Sequence, residues 1–195
     1  MYVPPHFAAR DLDVAAEIIA KHGFATLVTT GDDGPFASHV PLLLDGDRLL
    51  GHVARANPQA QQLERGPVLA IFHGPHAYVS PRSYAPRADN VPTWNYVVVH
   101  VRGRARALPV ADTVDIVMRL TAQYDPGVAI DPDAAQRLAR ALVGFAITID
   151  QIIPKLKLSQ NRPEGDRDAV ARDLDASGDP DARAVAAWMA RLPRS

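Results

Sequence analysis

The segment VPTWNYVVVHVRG, residues 91–103, decides which fold this chain adopts. Its residues alternate in character at the two-residue period of a β-strand. One face begins with the amide side chain of Asn95 and is otherwise apolar. Its residues are Asn95, Val97, Val99, Val101 and Gly103. The other face carries Trp94, Tyr96, Val98, His100 and Arg102. We therefore expect a strand with one face in the core and the other forming a ligand wall or a subunit interface.

Other short strands flank this segment along the chain. GDDGP and DGD are predicted hairpin turns that connect the first three strands. Gly74–Pro75 within HGPH predicts a turn between the fourth strand and the fifth. The predicted strands are FATLVTT (24–30), FASHVPLLLD (36–45), RLLGHVA (48–54), PVLAIFHG (67–74), HAYVSP (76–81), TWNYVVVHVRGRARAL (93–108) and VGFAITIDQII (143–153). PKLKLSQNRP then reads as an extended polar segment.

Helical spacing of apolar residues predicts fewer and mostly peripheral helices. Asp11 is the expected N-cap of the first helix, and Asn57 with Pro58 begins the second. The predicted helices cover 12–22, 57–66, 109–124, 132–142 and two segments within 166–192 that are broken at SGDP. The pattern favours a mainly β chain with peripheral helices (α+β), built as an antiparallel barrel rather than as a βαβ sheet.

Length and composition limit the number of domains and the cellular setting. A chain of 195 residues with 47% hydrophobic content closes one good core, so we expect a single domain over 1–195 with a helical tail at 166–195. The net charge is −1, which gives no global attraction to nucleic acid or an anionic membrane. No cysteine is present, which excludes disulfides and thiolate chemistry. Without a signal-peptide pattern or a membrane-length apolar run, we expect a cytoplasmic protein.

Two segments concentrate groups that could bind a phosphorylated ligand. GHVARANPQ places His52, Arg55, Asn57 and Gln59 where a strand meets a helix N-terminus, whose free N–H groups favour phosphate. An ordinary capped helix beside a surface arginine explains the same residues. KLKLSQNR gathers donors suited to phosphate, ribityl or ring carbonyl groups, namely Lys155, Lys157, Ser159, Gln160, Asn161 and Arg162. A solvated loop is the alternative there.

Other chemistries find little support in the sequence. The close pair His73 and His76 lacks a third ligand at metal-site spacing, so no metal is predicted. Ser38 and His39 are neighbours on opposite strand faces and cannot act as a nucleophile and its base. P-loop and Rossmann glycine patterns are absent. Arg102, Arg104 and Arg106 share a strand face that could meet phosphates, although a solvated or salt-bridged face is the simpler interpretation.

Several separate motifs together resemble one protein family. MYVPPHF, ATLVTT, ASHVPL, GHVARANPQ, GPHAYVSP, VPTWNYVVVHVRG and KLSQN occur in the order and approximate spacing of the PaiB family. The resemblance extends from residue 1 to about residue 175, and VPTWNY with KLSQN is its most specific part. Members of that family resemble FMN-binding split β-barrels and are described as negative transcriptional regulators.

The resemblance implies a homodimer with FMN in clefts lined by both subunits. Trp94 and Tyr96 would face the flavin or the dimer seam, Asn95 would fix the start of its strand by hydrogen bonds, and KLSQN would close the site. Wider similarity to split-barrel flavoproteins implies that the ASHVPL strand and the GHVARANPQ corner hold the FMN phosphate. The implied cofactor-binding residues are Ser38, His39, His52, Arg55, Asn57, Gln59, Trp94, Asn95, Lys157, Ser159, Gln160 and Asn161.

Three functions stay open at this stage. The first is a flavin-binding regulator that acts through a protein partner, with at most weak DNA contact through Arg102, Arg104 and Arg106, because no groove-reading element is visible. The second is an FMN-dependent oxidoreductase resembling flavin reductases or pyridoxamine phosphate oxidases. The third is a split-barrel dimer that binds another planar or anionic ligand.

Overall fold

The computed structural model describes residues 1–9, 12–86 and 90–192. The strands are β1 (Phe24–Gly31), β2 (Gly34–Asp45), β3 (Arg48–Ala54), β4 (Pro67–Val79), β5 (Thr93–Ala107) and β6 (Leu142–Lys157). The α-helices are α1 (Leu12–Lys21), α2 (Val110–Tyr124), α3 (Pro132–Ala139), α4 (Glu164–Asp175) and α5 (Pro180–Ala190). Three 3₁₀ helices cover Pro5–Phe7, Pro58–Gln61 and Pro81–Ser83. The predicted N-cap Asp11 lies outside the described residues.

The six strands form a closed barrel in the order β1-β2-β3-β6-β5-β4. β1 pairs antiparallel with β2 and with β4, and β3 pairs antiparallel with β2 and with β6. The first two hairpins are the ones that the sequence predicts, and Gly46 turns the second with a φ of +61°, a conformation that glycine adopts without strain. The predicted mainly β fold with an antiparallel barrel and peripheral helices is confirmed.

The chain divides into two compact units. The central unit comprises Asp13–Phe72 and His100–Ile153, and the terminal unit comprises Met1–Leu12, His73–Val99 and Pro154–Ser195. In the central unit, Ile116 and Leu120 of α2 pack on Leu43, Leu50 and Ala146 of the barrel wall, which explains the apolar stripe of that helix. In the terminal unit, α4 and α5 form the helical tail, interrupted as predicted after Asp175. The expectation of one domain over the whole chain stays a prediction.

β5 has the two faces that its sequence predicts. Asn95, Val97 and Val99 are at most 1% exposed, whereas Trp94 is 50% exposed. The arginines of the same strand, at 102, 104 and 106, are all exposed. The buried face ends at Gly103, where any side chain would collide with the Thr148 carbonyl of β6. Glycine is therefore needed there for the two strands to approach each other.

The predicted turn at Gly74–Pro75 is wrong. One continuous strand, β4, runs from Pro67 to Val79 through both residues. Gly74 passes so close to β5 that a Cβ atom would lie 2.9 Å from the Val97 carbonyl oxygen. The glycine therefore permits close strand packing rather than a chain reversal.

The predicted helix over 57–66 is also wrong in its length. Asn57 does cap the segment, with its side chain accepting from the Gln59 amide, and Pro58 does begin it. Only the 3₁₀ turn Pro58–Gln61 forms, and the side chain of Gln59 within it is fully buried. Likewise β6 extends past the predicted end at 153 to Lys157.

Candidate functional site

A polar corner in the central unit joins β2 to the chain that follows β3. The Asn57 Nδ2 donates to the Ser38 Oγ at 2.9 Å, while the Asn57 Oδ1 accepts from the Gln59 backbone N–H at 2.9 Å. Both side chains are half-buried. The Ser38 hydroxyl, which accepts here, still has its own proton to donate. The corner therefore brings together three of the predicted cofactor-binding residues and leaves a hydroxyl donor available for a ligand.

Gln59 supports this corner from below the surface. Its side chain is fully buried. The Nε2 donates to the Leu27 carbonyl at 3.0 Å, the Thr29 Oγ1 at 3.2 Å and the Phe36 carbonyl at 3.3 Å. The Oε1 is buried and has no hydrogen-bond partner within the described part of the chain. These contacts make Gln59 a positioning residue that ties the 3₁₀ turn to β1 and β2.

Arg55 uses its guanidinium to hold the start of β6. The Nε donates to the Arg140 carbonyl at 2.9 Å and the Nη2 donates to the Leu142 carbonyl at 2.8 Å. The side chain is exposed. Charge-assisted bonds to two carbonyls fix the guanidinium plane. Arg55 therefore has a structural role beside the phosphate-binding role that the sequence predicts, and the latter stays a prediction.

The two histidines near this corner differ in environment. Burial lowers the pKa of His52, so its ring is neutral at physiological pH. His39 is exposed, and its Nδ1 lies 3.2 Å from the Thr26 Oγ1. A neutral imidazole at position 52 can offer one donor and one acceptor to a ligand, but no positive charge.

In the terminal unit, Asn95 and Ser159 form a buried pair. The Asn95 Nδ2 donates to the Ser159 Oγ at 3.0 Å, and the same hydroxyl lies 3.2 Å from the Asn95 Oδ1. The Ser159 hydroxyl therefore accepts from the Asn95 Nδ2 and donates its own proton to the Asn95 Oδ1, so the contact is reciprocal. Asn95 is fully buried and Ser159 is 4% exposed. The prediction that Asn95 fixes the start of its strand by hydrogen bonds matches this contact.

Ser159 also has an unusual backbone conformation. Its φ of +64° is the single positive value at a non-glycine residue in the described ranges. A side chain in the left-handed region costs on the order of 1 kcal/mol. Gln160 closes the turn, since its Nε2 donates to the Leu156 carbonyl at 2.6 Å and its Oε1 accepts from the Leu158 N–H at 2.7 Å. Asn161 is exposed. The KLSQN loop is thus a tight reversal held by its own amide and by Asn95.

Two lysines, one just before this loop and one at its first position, lie beside aromatic rings. The Lys157 Nζ donates to the Thr93 Oγ1 at 2.6 Å and to the Trp94 carbonyl. The Lys155 Nζ donates to the Tyr2 carbonyl at 3.1 Å and lies 5.3 Å from the centre of the Tyr96 ring. Lys157 lies 6.0 Å from the centre of the same ring. These are cation–π distances.

The charges of these lysines are not neutralised by any described carboxylate. Burial lowers the pKa of Lys157, and the nearby charges of Lys155 and Arg162 lower it further. An anion placed there would raise that pKa again. The lysines therefore form an electropositive site that suits a negatively charged ligand.

Exposed aromatic side chains continue from Trp94. The Tyr78 ring meets the Trp94 ring edge to face at 5.9 Å between centres, and the His76 ring lies 6.1 Å away. Tyr78 is 52% exposed. Such a group favours stacking against a planar ligand or a second subunit.

The sequence interpretation missed several supporting residues. Thr29, Thr93 and Tyr78 lie in runs that read as plain strand, and their contacts come from partners distant in sequence. Tyr78 has one usable signal, its place in GPHAYVSP beside the specific segment VPTWNY. Thr29 and Thr93 had none, because their role depends on which strand packs beside them.

The donors present fit FMN. In the terminal unit, Lys155 and Lys157 are cations without a described carboxylate partner, and Tyr96 and Trp94 provide aromatic faces. A dianionic phosphate and a planar ring system need these two kinds of group. Within the described residues, no helix is long and apolar enough to cross a membrane.

The barrel and these donor groups define a flavin-binding split-barrel protein. Residues 1–151 match the model of the family FMN_bind_2, described as "Putative FMN-binding domain", and the chain belongs to that family. The predicted membership in the PaiB family and the predicted cofactor, FMN, are confirmed. The chain is 34% identical to "Protease synthase and sporulation protein PAI 2" of Bacillus subtilis (strain 168), over 97% of this chain and 96% of that protein. It is 27% identical to "Uncharacterized protein AN0679" of Emericella nidulans, over 91% and 92% of the two chains.

Solved structures confirm the fold class. The flavocytochrome Anf3 from Azotobacter vinelandii aligns with a TM-score of 0.65 at 16% identity, over 80% of this chain and 72% of that one. The FAD and heme binding protein from Mycobacterium smegmatis aligns with a TM-score of 0.62 at 18% identity, over 76% and 72%. At such identities the likeness concerns the fold alone.

Proposed function

We propose that this protein is an FMN-binding regulator that acts through a protein partner and not through tight contact with DNA. The observation that carries the proposal is the site of Lys155 and Lys157, two cations beside Tyr96 with no described carboxylate partner. FMN combines a phosphate with a planar ring, and this site offers the charge and the aromatic faces for both. When bound, FMN supplies redox chemistry that a regulator can use as a signal.

This chain's own residues would divide the task of binding. Lys157 and Lys155 would supply positive charge, and Trp94 a stacking face. Asn95 and Ser159 would keep the KLSQN loop in place. In the terminal unit, Gln160 and Asn161 belong to the same proposed set. In the central unit, the proposed cofactor-binding residues are Ser38, His39, His52, Arg55, Asn57 and Gln59. A cytoplasmic location belongs to the same proposal.

Removal of the lysine charges tests the site directly. Lys157→Gln and Lys155→Gln should each weaken FMN binding by roughly ten- to a hundredfold, since a charge-assisted bond contributes about 1.5–3 kcal/mol. Lys21→Gln is the matched control, because Lys21 is an exposed lysine of the central unit that pairs with Glu17 at 2.9 Å. Fluorescence titration of FMN into flavin-free protein measures the affinities. Equal affinity in all three variants would contradict the proposal.

Homodimer formation is part of the proposal and rests on the exposed aromatic group. Trp94 and Tyr78 are each about half exposed, and aromatic rings of this size are enriched in buried subunit interfaces. Light scattering at micromolar concentration should give twice the mass of the 21.1 kDa chain. The monomer mass would contradict this part.

The distribution of charge supports a partner other than DNA. The net charge is −1, and the exposed arginines at 102, 104 and 106 offer few phosphate contacts. We expect non-specific DNA affinity on the order of 10⁻⁴–10⁻⁶ M or poorer at physiological salt. Gel-shift titrations of a promoter fragment at several salt concentrations measure it. Tight, sequence-selective binding at physiological salt would restore direct repression.

An FMN-dependent oxidoreductase is the second candidate. The cationic site favours it as well, because positive charge beside a flavin stabilises added electron density. Anaerobic addition of NADH or NADPH to the yellow protein separates the two candidates. Persistence of the colour supports the regulator, and rapid bleaching supports the oxidoreductase. A colourless protein that takes up no FMN would contradict both.

A further inference from the structure

A cavity of about 320 Å³ lies in the terminal unit, next to the start of α4. Its walls are mostly apolar and include Phe7, Ala8, Ala9, Leu156 and Leu192. Ligand pockets in proteins begin at about 300 Å³, so the space suits a small organic molecule.

One charged side chain, Arg167, lines this cavity. It is 8% exposed, and its guanidinium makes no hydrogen bond or ion pair with any described residue. The Oδ1 of the neighbouring Asp166 accepts from the Ala85 N–H at 2.8 Å, and its Oδ2 is buried without a hydrogen-bond partner among the described residues. Arg167 also lines a second cleft with Glu164 and Asp168. The guanidinium nitrogens are not among the fully buried unpaired atoms, so a ligand in the cavity can reach them. A carboxylate there would gain a charge-assisted pair of hydrogen bonds.

The other polar groups of the wall carry no negative charge. They are the ring of His6 and the amide of Gln160. Both ends of the Gln160 amide already bond the loop backbone, at Leu156 and Leu158. Arg167 is therefore the one strong donor that the described wall offers to a ligand.

We propose that this cavity binds a small amphipathic carboxylate, with its carboxylate on Arg167 and its apolar body against Phe7, Leu156 and Leu192. One guanidinium binds one carboxylate through two parallel bonds and matches its single charge. A phosphate dianion would call for a second cation. The cavity shares Gln160 with the proposed flavin-binding set, so the two sites are neighbours. The proposal goes beyond flavin binding, because the site would give the regulator an effector.

Isothermal titration of the FMN-loaded protein with hexanoate and phenylacetate tests the site. Wild type should show saturable binding of at least one, and hexanamide should bind at least tenfold more weakly. Arg167→Gln should weaken carboxylate binding at least tenfold. Arg172→Gln is the matched control, because Arg172 is an exposed arginine of the same helix that does not line this cavity. Its affinity should equal that of wild type.

A second variant guards against loss of the fold. Ala9→Leu keeps Arg167 and fills part of the cavity, so it too should weaken hexanoate binding while the far-UV circular dichroism stays unchanged. Four results would overturn the proposal: no binding by wild type, unchanged binding by Arg167→Gln, equal binding of hexanamide, or equal binding of inorganic phosphate. Binding by a variant ending at Leu192 and not by the full chain would likewise overturn it, since the chain would then fill its own cavity. If every variant retains FMN while carboxylate binding is absent, the carboxylate proposal fails and the flavin proposal does not.

Discussion

The pair Asn95–Ser159 gives the sharpest test of how the KLSQN loop is held. Ser159→Ala removes the hydroxyl that serves both ends of the Asn95 amide, at 3.0 and 3.2 Å. Asn95 is fully buried, so water cannot replace the lost partner, and the remaining contact to the Met189 Sδ at 3.5 Å is a weak one. A buried polar group left unsatisfied costs about 1–3 kcal/mol, so we expect a loss of about 1–3 kcal/mol in unfolding free energy.

The backbone of Ser159 makes a second variant informative. Ser159→Gly removes the same hydroxyl but relieves the left-handed strain at a φ of +64°. Glycine in that conformation avoids a cost of roughly 1 kcal/mol. We therefore expect Ser159→Gly to be about 1 kcal/mol more stable than Ser159→Ala. Asn95→Ala and the double variant complete a cycle whose coupling energy should be about 1–2 kcal/mol.

Urea unfolding followed by tryptophan fluorescence measures these changes. Both tryptophans, Trp94 and Trp188, lie in the terminal unit, so the signal reports on the part of the chain that contains the pair. The FMN concentration must be the same in every sample, because a ligand that binds the native state adds to its stability. A loss below about 0.5 kcal/mol in Ser159→Ala, with no coupling to Asn95, would refute the reasoning.

Three further variants test the central unit. His52→Gln should flatten the acid dependence of stability: burial lowers the pKa of His52 below 6.5, so the unfolded chain takes up a proton that the native chain does not and stability falls as the pH drops below that value. Urea unfolding at neutral and acidic pH, with exposed His39→Gln as control, checks this, and equal pH slopes would contradict it. Gln59→Glu places an acceptor where the Nε2 donates to three oxygens and should cost more than about 3 kcal/mol, while Gln61→Glu on the exposed side of the same turn should be nearly neutral; equal shifts in the urea midpoint would count against the assignment. Arg55→Ala should lower the unfolding free energy by about 1–3 kcal/mol and weaken FMN binding. Arg55→Lys should restore FMN affinity without restoring stability if Arg55 binds the phosphate through its charge and holds the start of β6 through its hydrogen bonds.

The sequence determined the features that depend on local periodicity and local backbone chemistry. The alternation in β5 predicted which side chains are buried, because successive strand residues point to opposite faces whatever the neighbours are. Asn57 and Pro58 marked the start of a helical turn for an equally local reason, the capping of free N–H groups. The motifs VPTWNY and KLSQN indicated the family and its cofactor, since their residue order is specific even where no structure is known.

Only the tertiary structure decided which distant residues meet. Asn95 and Ser159 are 64 positions apart, and nothing in either motif shows that the Asn95 amide hydrogen-bonds the Ser159 hydroxyl. The burial of Gln59 and its hydrogen bonds to β1 and β2 depend on the same kind of long-range pairing. The apparent turn at Gly74 became straight strand because β5 packs against it. Local rules specify which residues of a strand alternate between its two faces. The partners of each residue depend on strand register and on closure of the barrel, and both are decided by burial of the whole core at once.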